Sequence, residues 1–388
     1  MIVLEFKARV KPAQATAIND AIRASQFVRN KALRYWMDNR GVGKYDLNKL
    51  CKDLAEEFPF AKKLNSMARQ ASAERAWSSI SRFYDHCKRG IKPVGFPKFK
   101  RHSRSVEYKT SGWKLLGPKR IRFTDGFGIG DLRLIGTYDL AHYDESRIKR
   151  VCLVRRADGY YVQFCIQAES QVQIEPSQRA IGIDLGFRYF IATSDGRVVE
   201  APPFYRDAEA RLKRANRQKS RKFRKGSKPQ SKNYHRARSR YARTQLRVSR
   251  QRIEWVKGIA HALIQSNDLV AYEALTVEAL VHHRHGAQSI SDAEWATFCR
   301  WLGYFGAKYG KVTVAVPPRY TSQPCPGCGA IVTQALSVRT HRCSYCGYEA
   351  DRDGQAALNI LQLGLNTLGH RGISTLGEMG PLSRLAPA

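Results

Sequence analysis

The spacing of hydrophobic residues changes twice within the first 175 residues. Residues 1–10 alternate apolar and charged positions, which predicts a strand. From residue 12 to 36 the apolar residues recur at helical spacing, and a second helical stretch covers about residues 66–87. Short β-type segments separated by Gly and Asp turn signals fill residues 105–173. We expect an antiparallel barrel or sandwich with a helical insert, and the first strand could join its sheet.

From residue 179 onward, strand-type and helical segments alternate. The predicted strands cover residues 180–186, 189–194, 198–201, 269–272 and 311–316. The predicted helices cover residues 205–265 with a break near 226–229, residues 292–309 and residues 353–364. This alternation is typical of an α/β domain. The last residues, 367–388, are rich in glycine and lack periodicity, so we expect a mobile tail.

The net charge of the chain indicates which class of molecule the protein binds. The 388 residues include 67 Lys and Arg against 33 Asp and Glu, which gives a formal net charge of +34. Self-repulsion of this size opposes folding unless a polyanion offsets it, and nucleic acid is the leading candidate. A ribosomal-type basic protein or a membrane-surface binder would be the alternatives, although no segment has a lipid-seeking composition.

Targeting signals are not visible in the sequence. No apolar run approaches the roughly 20 residues that cross a bilayer, and the N-terminus lacks the pattern of a secretory signal. The nine cysteines are an odd number, with four clustered in pairs and five scattered, which favours a reducing compartment over a disulfide framework. We therefore expect a cytoplasmic protein without membrane association.

A basic segment lies inside the second half. Residues 211–252 contain 18 Lys or Arg and no Asp or Glu. Five arginines recur there at alternating spacings of four and three, which places them on one helix face: Arg236, Arg240, Arg243, Arg247 and Arg250. A solvated helix face usually mixes both charge signs, so we expect this face to contact a nucleic-acid backbone.

Three acids stand at the ends of predicted elements. Asp184 ends an apolar strand, Glu273 ends another, and Asp353 stands at the start of a helix. Each has an ordinary alternative explanation: a turn former, a residue favoured by the helix dipole, or an N-cap. The set is more specific than any one member. Three carboxylates can hold two divalent ions about 4 Å apart, which suit phosphodiester hydrolysis because one activates water and the other stabilises the leaving oxygen. Mg²⁺ and Mn²⁺ prefer such oxygen ligands.

Four cysteines form two C-x₂-C pairs with fourteen residues between them: Cys325, Cys328, Cys343 and Cys346. Each pair is followed by glycine, which lets backbone amides turn toward the sulfurs. Four thiolates close a tetrahedral site, so this pattern predicts one structural zinc ion without an open coordination position. Disulfides or an iron–sulfur cluster are the alternatives.

These motifs together resemble the TnpB family, transposon-encoded RNA-guided nucleases related to type V CRISPR effectors. The resemblance is carried by GIDLG with IATSDG, by AYEAL, and by YTSQPCPGCG with CSYCGYEADRDGQAALNIL, in the order typical of the family. RNKAL at residues 29–33 and GFPKFK at residues 95–100 match its weaker signatures. The specific part is the C-terminal half, whereas residues 40–65 and the tail contribute little.

The resemblance implies a multidomain α/β architecture. Residues 1–10 and 105–175 would form a β-barrel wedge domain, and residues 11–104 a helical recognition lobe. Residues 179–320 and 349–366 would form an RNase H-like (RuvC) nuclease domain, with residues 321–348 as its zinc-binding insert. A monomer would hold a guide RNA, and base pairing of the guide with double-stranded DNA beside a short flanking motif would select the target. The cell would be prokaryotic, and the protein would be bound to the nucleoid when it binds DNA.

The resemblance also implies roles for residues. Asp184, Glu273 and Asp353 would be the catalytic Mg²⁺ or Mn²⁺ ligands, with Asp353 preferred over Asp351, and the four cysteines would bind Zn²⁺. The family usually has Asn where this chain has Gln355, and we expect the longer amide to tune the rate without abolishing the reaction. Two alternatives stay open: a nuclease-silent RNA-guided DNA-binding repressor, and a DNA transposase.

Overall fold

The computed structural model divides into two compact units, residues 1–169 and 170–388. The residues it describes are 1–167, 174–186, 188–200, 202, 204–227, 229–274, 288–318, 321–334 and 338–368, without the side chains of 204–207 and 288–294. None of the described helices is long and apolar enough to cross a membrane. Apart from its first two residues, the predicted tail lies outside the described residues.

The first unit is built on a seven-stranded antiparallel sheet. Its strands are β1 (Ile2–Arg9), β2 (Ser105–Tyr108), β3 (Trp113–Gly117), β4 (Arg120–Phe123), β5 (Gly130–Ile135), β6 (Ile148–Arg156) and β7 (Gly159–Ile166), in the order β2-β6-β7-β1-β5-β4-β3. The N-terminal strand lies at the centre of this sheet, between β7 and β5. Its alternation is also confirmed, since Leu4, Phe6 and Ala8 are buried.

The sheet is a half-barrel, at a place where the sequence predicted an antiparallel barrel or sandwich. In the described part of the chain, β2 and β3 each pair with only one neighbour and not with each other. Both have only four or five residues. A helix also covers the β2 edge, because Arg75 donates to Glu107 at 2.9 Å and to the carbonyl oxygen of Ser105 at 3.4 Å. A covered edge does not need a further strand.

Four helices follow β1: α1 (Pro12–Asp38), α2 (Lys44–Glu57), α3 (Pro59–Lys62) and α4 (Ser66–Lys88). α1 serves two cores, because Ile18 and Ile22 pack with the sheet whereas Val28 and Leu33 pack among the helices. α2 and α3 are additional to the predicted elements. The apolar stripe of α2 is short and consists of buried Leu47, Cys51, Leu54 and Ala55.

The second unit has a five-stranded mixed sheet in the order β10-β9-β8-β11-β12. Its strands are β8 (Ala180–Asp184), β9 (Ile191–Thr193), β10 (Val198–Val199), β11 (Leu269–Glu273) and β12 (Val312–Val316). β8, β11 and β12 are parallel, whereas β9 and β10 are antiparallel additions at one edge. Two further strands, β13 (Thr340–Arg342) and β14 (Glu349–Asp351), form a separate hairpin.

Helices cover both faces of this second sheet. On one face α6 (Lys232–Ser266) and α7 (Gln288–Tyr309) pack against Ile181, Ile183 and Val270. On the other face α8 (Arg352–Thr367) packs against Ala180, Leu269, Ala271 and Val314. Side chains alternate between the two faces along a strand. The residues packed on each face therefore show which face the last residues of β8 and β11 belong to. The remaining helix, α5 (Phe204–Arg221), pairs with α6, and the predicted break between them is confirmed.

Candidate active site and metal centre

Asp184 and Glu273 are neighbours at the carboxyl ends of two parallel strands. β8 and β11 pair with Ile183 opposite Tyr272, so the next level of the sheet holds Asp184 beside Glu273. Alternate residues of a strand lie on the same face of the sheet. Asp184 and Glu273 therefore lie on the face of Ala180 and Ala271, which α8 covers. The carboxyl ends of buried parallel strands are where α/β sheets place ligand-binding groups.

α8 brings the third acid to the same place. Its close approach to the sheet depends on glycine: a Cβ atom at Gly182 would lie 2.1 Å from the carbonyl oxygen of Ala357, and one at Gly364 would lie 2.6 Å from Cβ of Ala271. The helix therefore lies directly on β8 and β11, with Asp353 in its first turn. Oδ2 of Asp353 would be only 4.0 Å from a Cβ atom at Gly186, two residues beyond Asp184.

Asp351 and Asp353 have different roles at the start of α8. The N-cap is Asp351, whose Oδ1 accepts from the amides of Asp353 at 3.0 Å and Gly354 at 3.3 Å. The N-cap alternative for Asp353 is therefore wrong. Its own carboxylate instead has a long ion pair, 3.7 Å from Nη1 of the half-exposed Arg339.

The carboxylates are close enough to oppose one another's ionisation. Burial and the nearby charges of Glu273 and Asp353 raise the pKa of Asp184 to about 7. Burial also raises the pKa of Glu273, against a hydrogen bond from the hydroxyl of Thr321 that lowers it. A site whose own negative charges repel gains stability from a bound cation, and hard divalent ions suit carboxylate oxygen.

The cysteine cluster lies elsewhere in the same unit. Its four Sγ atoms all lie within 4.8 Å of one another, with 3.6 Å between Cys325 and Cys346 and 3.6 Å between Cys328 and Cys343. These distances exceed the roughly 2.05 Å of a disulfide and approach the roughly 3.8 Å expected between sulfurs around tetrahedral zinc. The cluster can therefore hold a structural zinc ion.

The two knuckles repeat one backbone arrangement. The amide of Cys325 donates to the carbonyl oxygen of Ala330 at 2.9 Å, and that of Cys343 donates to Tyr348 at 2.9 Å. Gly329 and Gly347 have φ of 76° and 75°, a conformation that favours glycine. Among the described residues, no other set of three His, Cys, Asp or Glu ligand atoms lies as close together, so the three carboxylates are spread more widely.

Side-chain amides of α8 join the two sites. Gln355 Nε2 donates to the carbonyl oxygen of Pro324 at 2.6 Å, and Asn359 Nδ2 donates to the same oxygen at 2.8 Å. Asn359 also donates to the carbonyl oxygen of Thr321 at 2.9 Å. Gln355 thus holds the segment that enters the first knuckle. Thr321 and Asn359 were not among the predicted site residues, although Asn359, like Gln355, is a polar residue among the mainly apolar buried residues of α8.

The basic segment forms the α5–α6 pair. A cleft of about 420 Å³ between these helices is lined by three of the five predicted arginines, Arg236, Arg240 and Arg243, and by Lys222. Arg247 is exposed and Arg250 half-buried further along α6. Lys219 Nζ lies 4.4 Å from the ring centroid of Tyr241, a cation–π contact that joins the helices.

A second basic groove lies on the sheet of the first unit and was not predicted. Its volume is about 890 Å³, and Gln14 braces it by donating to the carbonyl oxygens of Ile129 and Asp131, each at 2.9 Å. The cationic residues that line it are Arg9, Lys11, Lys119, Arg120 and Arg133. These residues come from three separate stretches of sequence, so no local run of basic residues predicts the groove.

Comparison with known proteins identifies relatives of both halves of the second unit. A family model described as "Cas12f1-like, TNB domain" matches residues 295–360, and one described as "Probable transposase" matches residues 163–284. A Streptomyces pristinaespiralis protein provisionally named an RNA-guided DNA endonuclease is 36% identical over 188 residues, which cover 48% of this chain and 45% of that protein. The Escherichia coli protein InsQ, with the same provisional description, is 26% identical over 92% of each chain.

Two further matches extend this picture. The TnpB-like protein L79 of Acanthamoeba polyphaga mimivirus is 29% identical over 113 residues, 28% of this chain and 22% of that protein. Among solved structures, a Cas12f1–sgRNA–target DNA complex matches 90% of this chain and 82% of its own with a TM-score of 0.54. Its identity of 13% makes it evidence for the fold alone. Taken together, the two family models and the curated relatives support the resemblance of this chain to the TnpB family.

Proposed function

We propose that this protein is an RNA-guided DNA endonuclease whose hydrolytic centre consists of Asp184, Glu273 and Asp353. The observation that carries the proposal is the convergence of three carboxylates from β8, β11 and α8 on one edge of the sheet, where burial and the charges of Glu273 and Asp353 raise the pKa of Asp184. The provisional names of the relatives support the same reaction.

Two Mg²⁺ or Mn²⁺ ions would supply activation of water and stabilisation of the leaving oxygen. Asp184, Glu273 and Asp353 would hold these ions, because the charges of Glu273 and Asp353 both act on Asp184. The four cysteines, with no open position, would bind one structural Zn²⁺. The chain's own contribution is to hold three acids rigidly on a sheet and a helix that glycine allows to meet.

We extend the proposal to the domains that the resemblance to the TnpB family implies. Residues 179–320 and 349–366 would form the RNase H-like (RuvC) nuclease domain, with residues 321–348 as its zinc-binding insert. Residues 1–10 and 105–175 would form the wedge domain, and residues 11–104 the recognition lobe. The half-barrel of β1–β7 and the bundle of α1–α4 supply the corresponding architecture.

Guide RNA and double-stranded target DNA are the proposed partners of a monomer. The chain has a net charge of +34. The basic side chains that line the α5–α6 cleft and the groove beside Arg9 would neutralise phosphates of the nucleic-acid backbone. Base pairing with the guide would specify the target, together with a short flanking motif.

The test begins with the RNA that co-purifies with the protein. Sequencing should find one discrete RNA with a variable 3′ end. A complex with a matching guide should cut double-stranded DNA in Mg²⁺, whereas Asp184→Ala and Asp353→Asn should not cut. Asp351→Asn is the matched control, because asparagine preserves the cap of α8 and should leave cutting intact. Cutting by both Asp184→Ala and Asp353→Asn would exclude this centre.

A transposase is the second candidate, because the model that matches residues 163–284 is described as a probable transposase. A strand-transfer assay with transposon ends decides between them, since a joined product would replace the first proposal. A nuclease-silent repressor would show guide-dependent DNA binding without cleavage in any divalent metal.

A further inference from the structure

Thr321 lies in direct contact with one of the proposed metal ligands. Its hydroxyl donates to Oε1 of Glu273 at 2.5 Å, and both residues are buried, with 5% and 9% of their surfaces exposed. The two residues are far apart in sequence: Glu273 ends β11, whereas Thr321 lies in the segment that leads into the cysteine cluster. A short hydrogen bond between buried groups fixes the orientation of the acceptor.

We propose that Thr321 is a positioning residue that fixes which oxygen of Glu273 faces a divalent cation. The inference rests on the proposed function of the carboxylate centre and deepens it. A carboxylate has two oxygens, and the hydroxyl of Thr321 engages Oε1. Within the described residues Oε2 has no hydrogen bond, so this oxygen is the one left for a cation. Hydrogen bonds of this kind orient metal ligands and are worth about 10- to 100-fold in metal affinity.

The hydroxyl of Thr321 is itself held in place from α8. Asn359 donates to the backbone carbonyl of Thr321 at 2.9 Å, and Asn359 and Gln355 both donate to Pro324 three residues later. A β-branched side chain also has few χ1 rotamers. The helix that carries Asp353 thus sets the position of Thr321, and Thr321 sets that of the Glu273 side chain.

Divalent-ion affinity of the whole ribonucleoprotein tests this assignment. Thr321→Val is isosteric and lacks the hydroxyl, whereas Thr321→Ser keeps the hydroxyl without the γ-methyl group. Mn²⁺ binding is measured by electron paramagnetic resonance, after subtraction of the ions bound by a complex carrying Asp184→Asn and Glu273→Gln. We expect Thr321→Val to weaken Mn²⁺ affinity about tenfold or more and to raise the Mg²⁺ concentration for half-maximal cleavage in parallel. Thr321→Ser should restore most of both values.

Two results would overturn the assignment. One is a Thr321→Val complex with wild-type Mn²⁺ affinity and Mg²⁺ dependence. The other is a Thr321→Ser complex as impaired as Thr321→Val, which would point to packing. Thermal unfolding of each complex shows whether it is folded, and affinity is compared only between folded complexes. If the wild-type complex neither binds Mn²⁺ above the subtracted background nor cuts DNA, the proposed function itself fails, which is a distinct outcome.

Discussion

Asp184 and Glu273 stand at the same level of two neighbouring parallel strands, and both face α8. Their proximity has an energetic consequence. In the metal-free protein the pKa of Asp184 is raised to about 7, above the roughly 3.9 of an unfolded chain. The folded state therefore binds more protons than the unfolded state between about pH 4 and 7, and it loses stability as the pH rises through that window.

Asp184→Asn should accordingly stabilise the metal-free protein at pH 8, by up to a few kcal/mol, because it removes a charge that the fold disfavours. At pH 4.5 the wild-type carboxyl is protonated in the folded state, so the two proteins should unfold at similar temperatures. Thermal unfolding in magnesium-free buffer at both pH values measures the difference. Added Mg²⁺ should stabilise the wild type more than the variant. Equal unfolding temperatures at pH 8 would show that the carboxylates do not repel.

The same proton should compete with the metal. Below pH 7 Asp184 holds a proton that a divalent ion must displace, so the Mg²⁺ concentration for half-maximal cleavage should rise about tenfold per pH unit. Above pH 7 that concentration should level off. Cleavage rates measured over a Mg²⁺ titration at several pH values give the profile, and a requirement independent of pH between 5.5 and 8 would contradict it.

The cysteine cluster offers a test by metal removal. Cys328→Ser should lower the zinc content from one ion per chain and loosen the first knuckle, because three thiolates no longer close the tetrahedron. Cleavage should fall too, since the loosened segment includes Pro324 and Thr321, which contact α8 and Glu273. Elemental analysis and the cleavage rate are the measurements. Cys87→Ser, at an exposed cysteine of α4, is the control and should change neither.

Gln355 stands where the resemblance to the TnpB family implies an asparagine, and the structure gives the longer side chain a role. The long amide reaches the carbonyl oxygen of Pro324 at 2.6 Å, and Asn359 donates to the same oxygen. Gln355→Asn shortens the side chain by one methylene and should remove one hydrogen bond, which costs about 1 kcal/mol. Asn359→Ala removes two and should cost more. Denaturant unfolding ranks the variants, and the reverse order would exclude the clamp.

The sequence sufficed for much of the second unit, and physical reasons explain what it lacked. Asp184 and Glu273 could be predicted because each ends an apolar strand, and parallel strands bring their carboxyl ends together. Thr321 could not, because its partner lies 48 residues away and its hydroxyl is indistinguishable from that of a loop residue. The choice between a barrel and a sandwich was also beyond the sequence, since pairing at the sheet edge depends on which neighbour covers β2. The domain boundaries and the site roles stay predictions.

The arginines of α6 give a test of the nucleic-acid interface. Arg240 and Arg243 line the α5–α6 cleft, whereas exposed Arg238 belongs to the same helix but does not line it. The double substitution of Arg240 and Arg243 by glutamine should weaken nucleic-acid binding. It should also make the negative slope of log affinity against log salt shallower by about two, because two phosphate contacts are lost. Arg238→Gln should change the slope by less than one. Equilibrium binding across a salt series measures both variants, and equal slopes would place the interface away from the cleft.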